Sequence, residues 1–533
     1  MLLLSLFVRP FNWKKIGLIS VLLPGLATSI TPLTVKAADT VKSPNTQKPI
    51  YTVNGKFNRN TVADLARALA KKPYKKPDLT LPTSLQDLTY DQYRDIRFNP
   101  AATIWANEDI PFQMQLFHRG LYFKEAVEIA IVKDGVSKHL SYDSTMFTTG
   151  QVMQKPLPNA DIGFAGFRIH SPLNTPDYFD EMAVFQGGSY LRSLGKNQSY
   201  GLSSRGLALK TADPEGEEFP SFRAFWIEKP YVDSSSIVVY ALLDSPSTTG
   251  SYRFTLRPGN NTVIDVEATL FPRVDLDKVG LATGTSMFMF SSYDRDKVDD
   301  FRPRVHDSDG LLIHNGRGER LWRPLRNPAN LQISAFVDNG PLGFGLLQRN
   351  RDFNNYQDLE AQYERRPSLW VEPVGNWDRG SVVLVEIPTE SEIHDNIVAY
   401  WSPADTIPAG SEYQYSYRLL WGNAPTIAKG EAIVDSTRSG RASINGPTPK
   451  RLFVIDYRFP NPLANIIKQK PTVTIKNSAG EINNIVVNEN KQNGGYRVTF
   501  ELDPLDQKLI ELRMDLTFKD GRKAESWMYQ WTE

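Results

Sequence analysis

Residues 262–270 read Thr-Val-Ile-Asp-Val-Glu-Ala-Thr-Leu, and this stretch decides the fold. Apolar and polar side chains alternate along it. That period of two turns one face of a strand to a core and the other to water. Comparable runs, rich in Val, Ile, Phe and Tyr and bounded by Gly, Pro, Asn and Asp, recur at 127–132, 237–243, 286–290, 335–348 and 381–387. Long helical patterns are absent, which argues against a βαβ architecture. The expectation is an all-β chain whose residues 38–422 form a large antiparallel β-sandwich with long loops. Ahead of it, Asn60 is expected to cap a short helix with Val62, Leu65, Ala66 and Leu69 on one face, and Asp91 a second helical turn.

Past residue 423 the pattern weakens. Residues 426–451 are rich in small and polar side chains, with Ser-Gly, Asn-Gly-Pro and Pro-Lys steps, so 423–448 reads as a linker. Strand-like runs then return at a tighter rhythm, at 452–459, 472–475, 485–487, 496–502, 509–518 and 527–531. Six or seven short strands within 449–533 predict a small immunoglobulin-like sandwich.

Composition narrows the function. The 533 residues carry 61 Lys+Arg against 60 Asp+Glu, a net charge of +1. Nucleic-acid binding draws its affinity from an excess of cations, so no nucleic-acid partner is expected. Cys is 0, which excludes disulfides, thiolate metal sites and cysteine nucleophiles. At the N-terminus Lys14 and Lys15 precede an apolar run at 16–30, broken by Pro24 and Gly25, and small residues follow up to Ala37 and Ala38. This is the anatomy of a cleavable signal peptide over 1–37, with cleavage after Ala37 or Ala38. The run is shorter than the ~20 residues that span a bilayer, and no second apolar span follows. The processed protein is therefore expected outside the cytoplasm and not membrane-spanning.

No His lies in a metal-binding spacing, and neither a nucleophile elbow nor a phosphate-binding loop occurs. No metal and no cofactor is expected. Residues 293–310 are dense in Asp, a pattern that reads more simply as a solvated acidic loop than as a Ca²⁺ site. Within them, Val305-His-Asp-Ser-Asp-Gly is a polar loop leading into an apolar strand, the kind of place where catalytic groups concentrate. Two more clusters mix Trp and Tyr with Asp, Arg and Asn. One spans Arg351, Tyr356, Tyr363 and Trp370, and the other runs from Glu390 through Asp395 to Trp401. Aromatic faces cover the apolar face of a pyranose, while forked donors and carboxylates bond its hydroxyls. The competing reading is that these aromatics fill a β-sandwich core. On residues alone, Asp395 reads as a strand-end partner.

Several runs carry a family resemblance. Tyr200-Gly-Leu-Ser-Ser-Arg-Gly-Leu-Ala, Phe225-Trp-Ile-Glu, Tyr240-Ala-Leu-Leu-Asp-Ser-Pro, Phe301-Arg-Pro-Arg-Val-His-Asp-Ser-Asp-Gly, Gly343-Phe-Gly-Leu-Leu-Gln-Arg and Asp395-Asn-Ile-Val-Ala-Tyr-Trp resemble, in order, the periplasmic glucan biosynthesis family OpgG/OpgD, also written MdoG/MdoD. The resemblance implies a galactose-mutarotase-like β-sandwich followed by an immunoglobulin-like one. It implies work on β-1,2-linked glucan chains of osmoregulated periplasmic glucans, with an inner-membrane glucan synthase as a further partner. Some members resemble anomer-inverting β-1,2-glucanases. The positions that match are Asp395 for the general acid and Asp307 for the base acting through water, with Tyr363 a substrate contact. Arg351, Tyr356, Trp370 and Trp401 are the further substrate-binding candidates. Inversion asks Asp395 to hold a proton near neutral pH and Asp307 to stay ionised. The same family also admits a non-catalytic glucan-binding or assembly factor, or a transglycosylase.

Overall fold

The computed structural model describes residues 49–533 apart from 53, 296, 297, 424, 444, 445, 447 and 463–469. The expected leader, 1–37, lies outside the described residues. No helix among the described residues is long and apolar enough to cross a membrane.

The alternation read at 262–270 is realised in the strand Thr262–Pro272. Ile264, Val266, Ala268 and Leu270 are buried, and Val263, Asp265, Glu267 and Thr269 are half-covered. The strand pairs antiparallel with Thr248–Arg257 on one side and Tyr413–Gly422 on the other, inside a 15-stranded sheet. A 10-stranded sheet shares its core. At the centre of that second sheet, Arg379–Glu386, Ile397–Pro403, Val279–Ser286, Ser203–Arg205 and Tyr190–Ser193 lie side by side. Between the sheets sit Phe254, Leu346, Trp370, Trp401 and Trp421, all buried.

The run 335–348 is two strands, not one. Gln332–Asn339 is the edge of the 10-stranded sheet and Gly343–Leu347 belongs to the 15-stranded one. Gly340, at φ 71°, makes the turn between them. The helix Thr61–Ala70 forms where expected and buries Val62 and Ala66 against Trp226, Tyr240 and Phe271 on the outer face of the large sheet. The second helix, Tyr90–Arg94, is capped by Thr89 in a reciprocal box with Gln92, rather than by Asp91. Thr89 has the extended backbone an N-cap needs, while Asp91 is already inside the first turn.

The small sandwich begins earlier than its composition suggests. Ile433–Arg441, inside the stretch that reads as a linker, is a strand paired along Arg451–Arg458. Only Ile433, Val434 and Thr437 are buried along it, and it lies at the edge of its four-stranded sheet. An edge strand with one wet face can be built largely from Ser, Thr and Arg, which is why it resembles a linker. The other sheet of this sandwich, Ser526–Thr532, Leu509–Thr517 and Thr472–Asn477, continues the large one through a parallel contact in which Leu321 pairs with Ser526 and Trp322 with Trp527. With no cysteine to staple it, its core is a stack of rings. Phe453 and Phe500 lie 5.2 Å apart, and Trp527 and Tyr529 5.4 Å.

Candidate active site

Asp307 and Asp395 are 88 residues apart in sequence (395 − 307), and one short segment brings them together. The main-chain carbonyl of Met287 accepts the N–H of Asp307 at 2.8 Å. The N–H of Phe288 donates to Asn396 Oδ1 at 2.8 Å, and Asn396 Nδ2 returns to the Phe288 carbonyl at 3.0 Å. Ser286 and Ser308 share a hydroxyl bond of 2.8 Å, and Thr285 Oγ1 donates to Asp395 Oδ2 at 3.3 Å. Residues 285–288 thus fix both carboxylates, one through the loop after Val305–His306 and one through the turn before Ile397–Pro403.

The surroundings differ. Asp307 is 1% exposed and lies directly against the Arg366 guanidinium. Burial pushes its carboxyl above the usual range. Arg366 opposes that, and the negative charge of Asp395 adds to it, so the two carboxyls act on each other through space. On Asp395, Oδ2 takes the Thr285 hydroxyl and lies 3.8 Å from Arg192 Nη2, while Oδ1 is buried with no hydrogen-bond partner. Arg192 is held by Ser203 Oγ at 2.7 Å.

Tyr363 joins the Asp307 side. The Arg366 guanidinium lies 4.3 Å over its ring, and its hydroxyl donates to Glu392 Oε2 at 3.1 Å. Burial raises the phenol well above its ordinary value, so it stays neutral and remains a donor. Glu392 also takes Arg302 Nη1 at 2.8 Å, and Arg302 reaches Asp358 at the same distance.

The other candidates are elsewhere. Trp370 and Trp401 lie in the sandwich core, where Gly343 and Gly380 leave room for them: a Cβ on either glycine would fall 2.3 Å and 2.5 Å from the respective indole. Tyr356 is 0% exposed and donates to the Asn350 carbonyl at 3.0 Å. Arg351 braces the loop by donating to the carbonyls of Arg366 at 2.7 Å and Glu364 at 3.1 Å. Trp370, Trp401 and Tyr356 are buried and Arg351 is half-buried, and the contacts of all four support the site from within. For the two tryptophans, large apolar area next to strand glycines makes burial the stable outcome.

Sequence reasoning passed over Arg192, Arg366, Glu392 and the segment 285–288. Arg366 and Glu392 stand inside the quoted clusters, but nothing in their spacing sets them apart from their neighbours. The glycine closing His-Asp-Ser-Asp-Gly does have a structural reading: a Cβ on Gly310 would fall 2.4 Å from the Trp322 ring. His306 is buried and neutral, lowered to about 4 by burial. Gln348 Nε2 donates to the His306 and Tyr363 carbonyls, both at 3.0 Å, so its Oε1 is left to accept from His306 Nδ1 at 3.0 Å. Among the described residues, no group of three or more His, Asp or Glu side chains converges as a metal site. A groove of about 730 Å³ lies on the outer face of the large sheet beside Thr61–Ala70. Its charged lining is paired internally, as in Arg418–Asp265 and Arg253–Glu267, and it contains neither carboxylate of the pair.

A family model described as "Periplasmic glucan biosynthesis protein, MdoG" matches residues 57–531. "Glucans biosynthesis protein G 1" of Shewanella oneidensis is 58% identical over 502 residues, covering 94% of this chain and 92% of that one. "Glucans biosynthesis protein G" of Vibrio cholerae serotype O1 is 60% identical over 482 residues, covering 90% and 88%. Among solved structures, a galactose mutarotase related enzyme from Lactobacillus acidophilus aligns with a TM-score of 0.20 and 10% identity, over 45% of this chain and 96% of that one, too slight a likeness to carry an argument. By the extent of the family match and the identity to these relatives, the chain belongs to the MdoG family of periplasmic glucan biosynthesis proteins.

Proposed function

We propose that the protein works in the periplasm, after removal of its leader, on β-1,2-linked glucan chains made by an inner-membrane synthase, and that it cleaves them as an anomer-inverting endo-glucanase. The observation that carries this reading is the unequal pair of carboxyls hung from residues 285–288. Asp307 lies against a cation, the setting of a carboxylate that works ionised as a base toward water. Asp395 keeps one buried oxygen free of any bond, room for the proton an acid must deliver to the leaving oxygen. A carboxylate whose affinity for a proton is raised by burial also takes one more readily than an ordinary carboxylate. Tyr363, neutral beside Asp307 with its proton on Glu392, has its hydroxyl oxygen left to accept from a sugar hydroxyl or a water.

A second reading follows from the same contact. A carboxylate in a tight ion pair is a restrained base, which favours a glucan-binding or assembly factor for backbone synthesis. One assay separates them. Purified protein is incubated with linear β-1,2-glucan while chain length and product anomer are followed. Cleavage with inverted anomer supports the hydrolase, affinity without product supports the binding factor, and longer or cyclic products indicate transglycosylation. Asp395→Asn and Asp307→Asn are each expected to abolish cleavage with the fold intact. Turnover at the wild-type rate in either variant would reject that residue's role.

A further inference from the structure

Arg349 links the small sandwich to the loop that carries Asp307. Arg349 follows the strand Gly343–Leu347 of the large sandwich, and its guanidinium crosses to the small one. Nη1 and Nη2 each donate to Glu525 at 2.7 Å, and Nη1 also donates to the Val434 carbonyl at 2.9 Å. Glu525 is 1% exposed and accepts the Val434 N–H at 3.0 Å as well. The guanidinium lies 3.5 Å over the Trp322 ring, the ring whose edge occupies the space at Gly310.

The main chain around Arg349 is equally committed on the other side. Asp309 Oδ2 accepts the N–H groups of Arg349 and Asn350 at 2.6 Å and 2.8 Å. Asp309 is two residues beyond Asp307. On the N-terminal side, Gln348 bonds the carbonyls of His306 and Tyr363, which precede Asp307 and overlie Arg366. Gln348, Arg349 and Asn350 therefore join three things: the loop bearing Asp307, the segment bearing Tyr363 and Arg366, and the small sandwich.

A buried ion pair is a poor way simply to glue two domains, because its desolvation cost offsets most of the attraction, and apolar packing would serve as well. Its directionality fixes geometry instead. We propose that the small sandwich is a positioning element of the active site, acting through Glu525, which holds Arg349 and with it the loop that carries Asp307. The proposal rests on Asp307 as the base.

The test uses the full-length protein and two variants. Glu525→Gln keeps the shape and removes the charge; Arg349→Lys keeps the charge and removes the fork. Each is examined for thermal unfolding, for kcat and KM on linear β-1,2-glucan, and for the protonation midpoint of Asp307. The midpoint is read from the infrared carboxyl band as the difference between each protein and its Asp307→Asn counterpart. The charged and titratable groups facing Asp307 are Arg366, Asp395, Arg192 and Tyr363, and none of them is altered. The expected result is a kcat lower by about tenfold to a hundredfold, with KM within about twofold, since small misplacements cost rate rather than binding. The Asp307 midpoint moves down, because a loosened loop admits water and burial is its largest influence. A folded variant with wild-type kcat and an unmoved midpoint overturns the proposal, even if it melts earlier. Failure of the wild type to cleave any glucan would sink the hydrolase reading and the catalytic part of this proposal with it, and the infrared midpoint would then decide only whether Glu525 positions the loop that carries Asp307.

Discussion

Asp307 and Asp395 hang from the same four residues, yet one is clamped and the other is left open. Asp307 sits on a loop whose neighbours on both sides are bonded, with Met287 taking its N–H, Gln348 the His306 carbonyl and Asp309 two further N–H groups. Its carboxylate meets the half-buried guanidinium of Arg366. Asp395 is fixed through its neighbour Asn396, and its carboxyl has one hydroxyl, one more distant arginine and a bare oxygen. Two carboxyls of identical chemistry are thus given different characters by their surroundings, which is the general condition for dividing acid and base roles.

The largest effect should come from unbalancing the clamped side. Arg366→Met leaves Asp307 buried without its cation, and removing one partner of a buried pair typically costs about 3–5 kcal/mol. Chemical denaturation is expected to show a loss of that order. Adding Asp307→Asn on top should recover much of it, since no unpaired charge then remains. A double variant no more stable than Arg366→Met would mean that Arg366 acts through its packing on Tyr363 and not through its charge.

The β architecture was legible because alternation is a local signal: Thr262–Pro272 shows the same period in sequence and in burial. The two Asp residues were legible only through the family resemblance, since on residues alone Asp395 reads as a strand-end partner. The aromatic clusters show the limit. Trp370 and Trp401 lie among Asp and Arg in sequence, but on strands alternate residues face opposite ways, so sequence neighbours of a site residue often point into the core. Arg192 stands far from both carboxylates along the chain and reaches Asp395 only because Tyr190–Ser193, Ser203–Arg205, Val279–Ser286 and Ile397–Pro403 are adjacent in the sheet. Such an arrangement is set by strand order, which no local pattern reveals. The strand at Ile433–Arg441 was missed for the opposite reason, its composition being that of a loop.

An intermediate effect should appear in the pH dependence of stability. The carboxyl of Asp307 is raised in the folded protein, while an unfolded Asp titrates at about 3.9. Between those two values the native state holds a proton that the unfolded chain has released. Stability therefore falls as pH rises through that window, and the penalty vanishes below it. Unfolding measured across the acid range should show this downward slope in wild type and lack it in Asp307→Asn. Identical slopes would place the titrating group elsewhere. The same ionisation should govern the acidic side of any glucanase profile, with activity lost as Asp307 takes up its proton.

The smallest effect belongs to the open side. Thr285→Val removes the hydroxyl that donates to Asp395 Oδ2 and keeps the β-branched shape that suits its buried strand position. At 3.3 Å this is a long bond, so a stability change of about 0.5–1.5 kcal/mol is the upper range to expect. Arg192, 3.8 Å away, still faces the carboxylate, so turnover should fall by less than about tenfold with KM little changed. A loss as large as that of Asp395→Asn would contradict the contrast drawn between the two carboxyls. It would mean that Asp395 depends on its single hydroxyl as heavily as Asp307 depends on its cation.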